Sequence, residues 1–189
     1  MRTFVAIDLP PEIRTELARI QSLFRAALGS PSGADGSVRW TDISGTHLTL
    51  KFLGEVAERK LQAVIERLQE IGPFEKFDVV VRGFGVFPNP REPRVFWAGV
   101  EPSLALEALR RRVDESLAEI GFDREQRSYT PHLTLARFTV PQSLPALRAM
   151  LDSQGKQLVG RFRVSEFFLF ESRLSPGRPA EYLQVARFP

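Results

Sequence analysis

Polar and apolar positions along the 189-residue chain switch repeatedly between a period of two and a period near 3.6, the signatures of strands and amphipathic helices. Arg2 to Leu9 alternates as a strand, and Pro10-Pro11-Glu12 opens a helix with Ile13, Leu17, Ile20 and Phe24 on one face. A Gly-rich loop follows from Gly29 to Gly36. Val38–Trp40 and His47–Leu53 then read as strands, the second closed by Gly54-Glu55. Leu61, Val64, Ile65 and Leu68 mark a helix from about Ala57 to Ile71. Phe77–Phe87 and Val95–Val100 predict a hairpin around the turn-rich PNPREP. A third helix spans Leu104 to Ile120, with Leu106, Leu109, Val113 and Leu117 as its stripe. A further strand at His132, a short helix near Leu144–Leu151 and two strands, Phe162–Phe170 and Tyr182–Phe188, complete the chain.

Each half thus runs helix, strand, helix and a pair of strands. This predicts an α+β fold: a single domain over residues 1–189 with two pseudo-symmetric lobes, each a mainly antiparallel sheet backed by helices. The lobes are expected to meet where two strands with the same four letters lie side by side. Those letters are HLTL, in THLTLKF at 46–52 and PHLTLARF at 131–138, and they contain the only two histidines of the chain.

On a strand, residues i and i+2 share a face about 7 Å apart. His47 and Thr49 therefore point one way and Leu48 and Leu50 the other, as do His132 and Thr134 against Leu133 and Leu135. The leucines suit a core, and the polar pairs converge on a cleft between the lobes. Two imidazoles on either side of a phosphorus atom can serve as general acid and general base, because an ordinary pKa near 6.5 allows one to be protonated while the other is neutral. Threonine hydroxyls donate to non-bridging phosphate oxygens without adding charge. The combination points to phosphodiester cleavage without a nucleophilic side chain. A hydrogen-bonded structural histidine and a metal ligand are the competing readings, and two histidines without cysteine fall short of a usual metal ligand set.

The residues after each motif differ. Lys51 follows His47 by four and is expected on its strand face. Arg137 follows His132 by five and points away unless a β-bulge near Ala136 turns it back as a phosphate clamp. Should the phosphodiester belong to a nucleic acid, Phe4, Phe87 or Trp97 could stack on a base, and Arg39, Arg91 and Arg94 could approach the backbone.

Composition narrows the classes. The absence of cysteine excludes disulfides, thiolate metal sites and cysteine nucleophiles. No apolar run is long enough for a membrane span, and no secretory core precedes Asp8, so a cytoplasmic protein is expected. The net charge is only +3, yet the pI is about 9.7 and arginine far outnumbers lysine, which supplies planar donors for phosphate.

These phrases resemble the bacterial and archaeal RNA 2′,3′-cyclic phosphodiesterases, also called 2′-5′ RNA ligases, of the two-histidine phosphoesterase superfamily. The likeness runs through RTFVAIDLP, VRW, HLTLKFLGEV, GFGVFPNPREPRVFWAGV, SYTPHLTLARF and FFLFESRL. It implies hydrolysis of a terminal 2′,3′-cyclic phosphate to a 2′-phosphate in the interlobe cleft, without metal or cofactor. His47 would be the proton donor to the 3′ oxygen, His132 the acceptor that activates water, and Thr49, Thr134 and Arg137 the phosphate ligands. The expected partners are RNA ends or small nucleotides bearing a cyclic phosphate, with no obligate protein partner and a monomer expected. ATP-independent 2′-5′ ligation and non-catalytic binding of RNA ends stand as alternatives.

Overall fold

A computed structural model describes residues 1–28, 38–126, 128–139, 145–173 and 180–189; the loop expected at Gly29–Gly36 lies outside them. The strands are β1 (Arg2–Asp8), β2 (Val38–Trp40), β3 (His47–Glu55), β4 (Phe77–Phe87), β5 (Val95–Val100), β6 (His132–Phe138), β7 (Leu158–Val164), β8 (Phe167–Arg173) and β9 (Glu181–Phe188). The helices are α1 (Pro11–Ala27), α2 (Glu58–Gln69), α3 (Leu104–Ala118) and α4 (Pro145–Gln154). Proline at the start of α1 sits where a missing N–H costs nothing. Ser103 caps α3 by accepting from the Leu106 amide at 3.2 Å.

Two antiparallel sheets form, in the orders β3-β1-β8-β9 and β2-β6-β5-β4-β7, with a cleft between them. Each motif strand heads an equivalent four-strand run, β3 in one sheet and β6 in the other. The lobes are not, however, the two halves of the sequence. The β4–β5 hairpin of the first half joins the second motif, and the β8–β9 hairpin at the end of the chain joins the first. The single strand expected over Phe162–Phe170 is accordingly two strands. At Ser165-Glu166 the chain leaves one sheet and enters the other, so no continuous ladder can span it.

The helices are exchanged in the same way. α1 and α4 pack on the five-stranded sheet, and α2 and α3 on the side of the four-stranded one. Phe24 of α1 meets Phe84 and Phe96 with ring centroids 5.4 and 4.5 Å apart. Gly160 of β7 admits Ile13, whose Cδ1 would lie 2.6 Å from any added Cβ. Leu48, Leu50, Leu133 and Leu135 are all buried in this core, which fixes the opposite face of both motif strands towards the cleft.

Candidate active site

Each motif strand carries a β-bulge at the same place. Along β5, Trp97 pairs with Thr134 and Phe96 with Ala136, which leaves Leu135 as the extra residue. Along β1, Ala6 pairs with Thr49 and Val5 with Lys51, which leaves Leu50 extra. In both copies the two bulge residues face the core together, and the next residue returns to the cleft face. The bulge expected near Ala136 is present, and Arg137 shares the face of His132 and Thr134. The bulge carbonyl is held: Leu135 O accepts from the Thr41 amide at 2.9 Å and from Gln21 Nε2 at 2.9 Å.

The unforeseen bulge in the first copy overturns the expectation for Lys51. Instead of facing the cleft, Lys51 is buried and bonds Asp114 of α3 at 2.5 Å and the Asp123 carbonyl at 2.6 Å. The cleft position equivalent to Arg137 is taken by Phe52, 72% exposed. The copies thus align residue for residue as HLTLKF and HLTLAR, and one presents an aromatic ring where the other presents a cation.

Both imidazoles are anchored alike. His47 Nδ1 lies 2.8 Å from the Gly45 carbonyl, and His132 Nδ1 lies 2.7 Å from the Thr130 carbonyl. A carbonyl can only accept, so each Nδ1 carries the proton of the bond and each Nε2 is left for the cleft. Arg14 braces the segment before His47 by donating to the carbonyls of Ile43, Ser44 and Thr46 while pairing with Asp8. Tyr129, three residues before His132, donates to the Thr49 carbonyl at 2.9 Å and ties the second motif to the first.

Aromatic rings wall both histidines. His47 stacks on Phe4 with centroids 4.3 Å apart and takes the edge of Tyr182 at 5.0 Å. His132 meets Phe87 edge-on at 5.1 Å and Trp97 at 6.4 Å. The Trp97 indole lies over Gly85, where an added Cβ would come within 2.3 Å of it, so glycine at that position lets the ring lie flat on the sheet. Desolvation by these walls holds His47 down at about 4, against partial lifts from the Gly45 carbonyl and Asp8. Burial also lowers His132, and the charge of Arg137 lowers it further.

Phe4, expected to stack on a substrate base, offers little surface for one. It is only 3% exposed, because its ring packs among His47, Phe52, Phe170 and Tyr182. Its face lies flat against the His47 imidazole. Phe4→Leu is expected to lower kcat by about tenfold with little change in KM, a split measurable by steady-state kinetics, since the ring lies against the imidazole.

Among the described residues no group of three His, Asp or Glu side chains could hold a metal ion, and no helix is long and apolar enough to cross a membrane.

Residues 9–175 match the family model of the 2′-5′ RNA ligase superfamily. An RNA 2′,3′-cyclic phosphodiesterase of Methanothermobacter thermautotrophicus is 36% identical over 180 residues, 95% of this chain and 94% of that protein. One from Thermotoga maritima is 32% identical over 182 residues, 95% and 90% of the two chains. Among solved structures, TT0787 of Thermus thermophilus superposes with a TM-score of 0.79 at 27% identity, covering 100% of this chain and 97% of that one. E. coli LigT complexed with 3′-AMP follows with 0.75 and 27%, covering 99% and 96%.

Proposed function

The chain belongs to the 2′-5′ RNA ligase superfamily, and we propose that it opens RNA terminal 2′,3′-cyclic phosphates to 2′-phosphomonoesters by acid–base catalysis with His47 and His132. The family-level activity is that of a LigT-like RNA 2′,3′-cyclic phosphodiesterase. The observation that carries the mechanism is the repeated anchoring of each Nδ1 by the carbonyl two residues before it, with a threonine two residues after.

In the proposed step, water attacks phosphorus in line with the 3′ oxygen. His132 Nε2 takes the proton of that water as the new P–O bond forms. The P–O3′ bond breaks, its electron pair passes to O3′, and O3′ takes the proton from His47 Nε2. Thr49 and Thr134 donate to the non-bridging oxygens, and Arg137 offsets the growing charge. Proton exchange with solvent restores the starting state. Ligation would use the same groups in the same roles, with an RNA 5′-hydroxyl attacking in place of water: His132 takes the hydroxyl proton, the P–O3′ bond breaks and His47 protonates O3′. Product analysis on a 2′,3′-cyclic-phosphate oligonucleotide, with and without a 5′-hydroxyl partner, separates hydrolysis, ligation and binding without turnover. A 2′-phosphomonoester is the expected product, and recovery of unchanged substrate would overturn the proposal.

Two conditions test the acid–base scheme further. kcat/KM follows the free enzyme, whose active form has one protonated and one neutral imidazole. Both groups lie below their ordinary 6.5, so kcat/KM is expected to peak below pH 6.5 and to fall as pH rises through neutrality. A pH–rate profile with its optimum above 7 would contradict this. Turnover is also expected to persist after dialysis against EDTA, as followed by the same product assay.

A further inference from the structure

Across the β2–β6 ladder Arg39 pairs directly with Arg137. Their neighbours Val38, Trp40, Ala136 and Phe138 pack into the core, so both arginines lie on the face that carries His132 and Thr134. Both are exposed, and among the described residues neither guanidinium has a hydrogen-bond or ion-pair partner. Like charges set directly opposite on neighbouring strands repel, with Cα atoms only about 4.5–5.5 Å apart. The arrangement is therefore suited to anions, and to more than one. A cyclic phosphodiester carries a single negative charge, which Arg137 beside His132 can meet alone. Arg39 stands one strand further out, beside Arg137 on the outermost strand of the sheet.

We propose that Arg39, together with Arg137, forms a subsite for a second phosphate, the one on the 5′ side of the terminal nucleoside, so that the site favours RNA ends over cyclic mononucleotides. This rests on the phosphodiesterase reading above. The unpaired guanidinium fork is matched to a phosphate in two parallel hydrogen bonds, and occupancy of both positions removes the repulsion.

The test compares kcat/KM for three substrates: adenosine 2′,3′-cyclic phosphate, its 5′-phosphorylated form, and the dinucleotide ApA ending in a 2′,3′-cyclic phosphate. In the wild-type protein the two substrates with a 5′-side phosphate are expected to exceed the first by about tenfold, the scale of one charge-assisted hydrogen-bonded contact. In Arg39→Gln that ratio is expected to collapse towards one, and in Arg39→Lys to recover in part. A gain confined to the dinucleotide and unchanged in Arg39→Gln would assign the preference to the upstream base and overturn the subsite. Equal turnover of all three in the wild type would also overturn it while leaving the phosphodiesterase reading intact. Failure to turn over any of the three would sink that reading itself.

Discussion

His47→Ala and His132→Ala are each expected to lower kcat on a cyclic-phosphate oligonucleotide by about a thousandfold or more, within or above the 10²–10⁴ range of one positioned acid or base. The loss is large because each proton transfer is coupled to making or breaking a P–O bond, and neither neighbouring threonine can substitute as a base near neutral pH. Their opposite roles give the two variants different signatures. On a phosphodiester whose leaving group is stable as an anion, such as a 4-nitrophenyl ester, departure needs no proton. His47→Ala is then expected to regain much of its rate while His132→Ala stays impaired. Equal rescue of both, or of His132→Ala alone, would reverse or remove the assignment. Circular dichroism and thermal melting check that both variants stay folded, as expected for half-buried residues on the cleft face.

Lys51→Ala is expected to be the most damaging change outside the cleft, costing about 3–5 kcal/mol of stability. Side-chain exposures of 5% for Lys51 and 11% for Asp114 leave the abandoned carboxylate little access to water. Replacing both partners, Lys51→Met with Asp114→Leu, is expected to recover most of the loss, because burying two apolar chains removes the unpaired charge. Urea unfolding midpoints decide between these outcomes, and a Lys51→Ala cost below about 1 kcal/mol would show that Asp114 finds water after all. The pair also sets an acid limit. Burial pushes the Asp114 carboxyl up, but bonds from Lys51 and the Glu125 amide, with the charges of Lys51 and Arg110, outweigh it and bring it below its ordinary 3.8. Its contribution is present above that value and is lost as pH falls through the lowered one.

Much of the site was legible from two facts of local chemistry. The strand period separates His47 and Thr49 from Leu48 and Leu50 wherever the strand is placed, and the same holds for His132 and Thr134. The cue for the bulge was the extra residue between the motif and its phenylalanine in PHLTLARF. It foretold the bulge that brings Arg137 to the cleft. It also misled, because the first copy has the same bulge and its Phe52 matches Arg137, not Phe138. Nothing local to KFLG signals that Lys51 enters the core, since its partner Asp114 lies 63 residues away on α3. Tyr129, Arg14 and Gln21 escaped notice for a related reason. Their work is to bond backbone carbonyls, which every sequence supplies everywhere, so residue type gives no clue to the partner.

The division between sequence and tertiary structure follows the range of the forces. Local alternation, helical stripes and turn chemistry determined the strands, the helices and which side of each motif faces away from the core, because those depend on neighbours within a few residues. Only the folded chain decided that the hairpins are exchanged between lobes, that Phe4 is buried against the His47 ring, and that Arg39 stands opposite Arg137. These are matters of which strand lies beside which, and strand pairing is set by the joint burial of distant apolar faces, a quantity no single stretch contains.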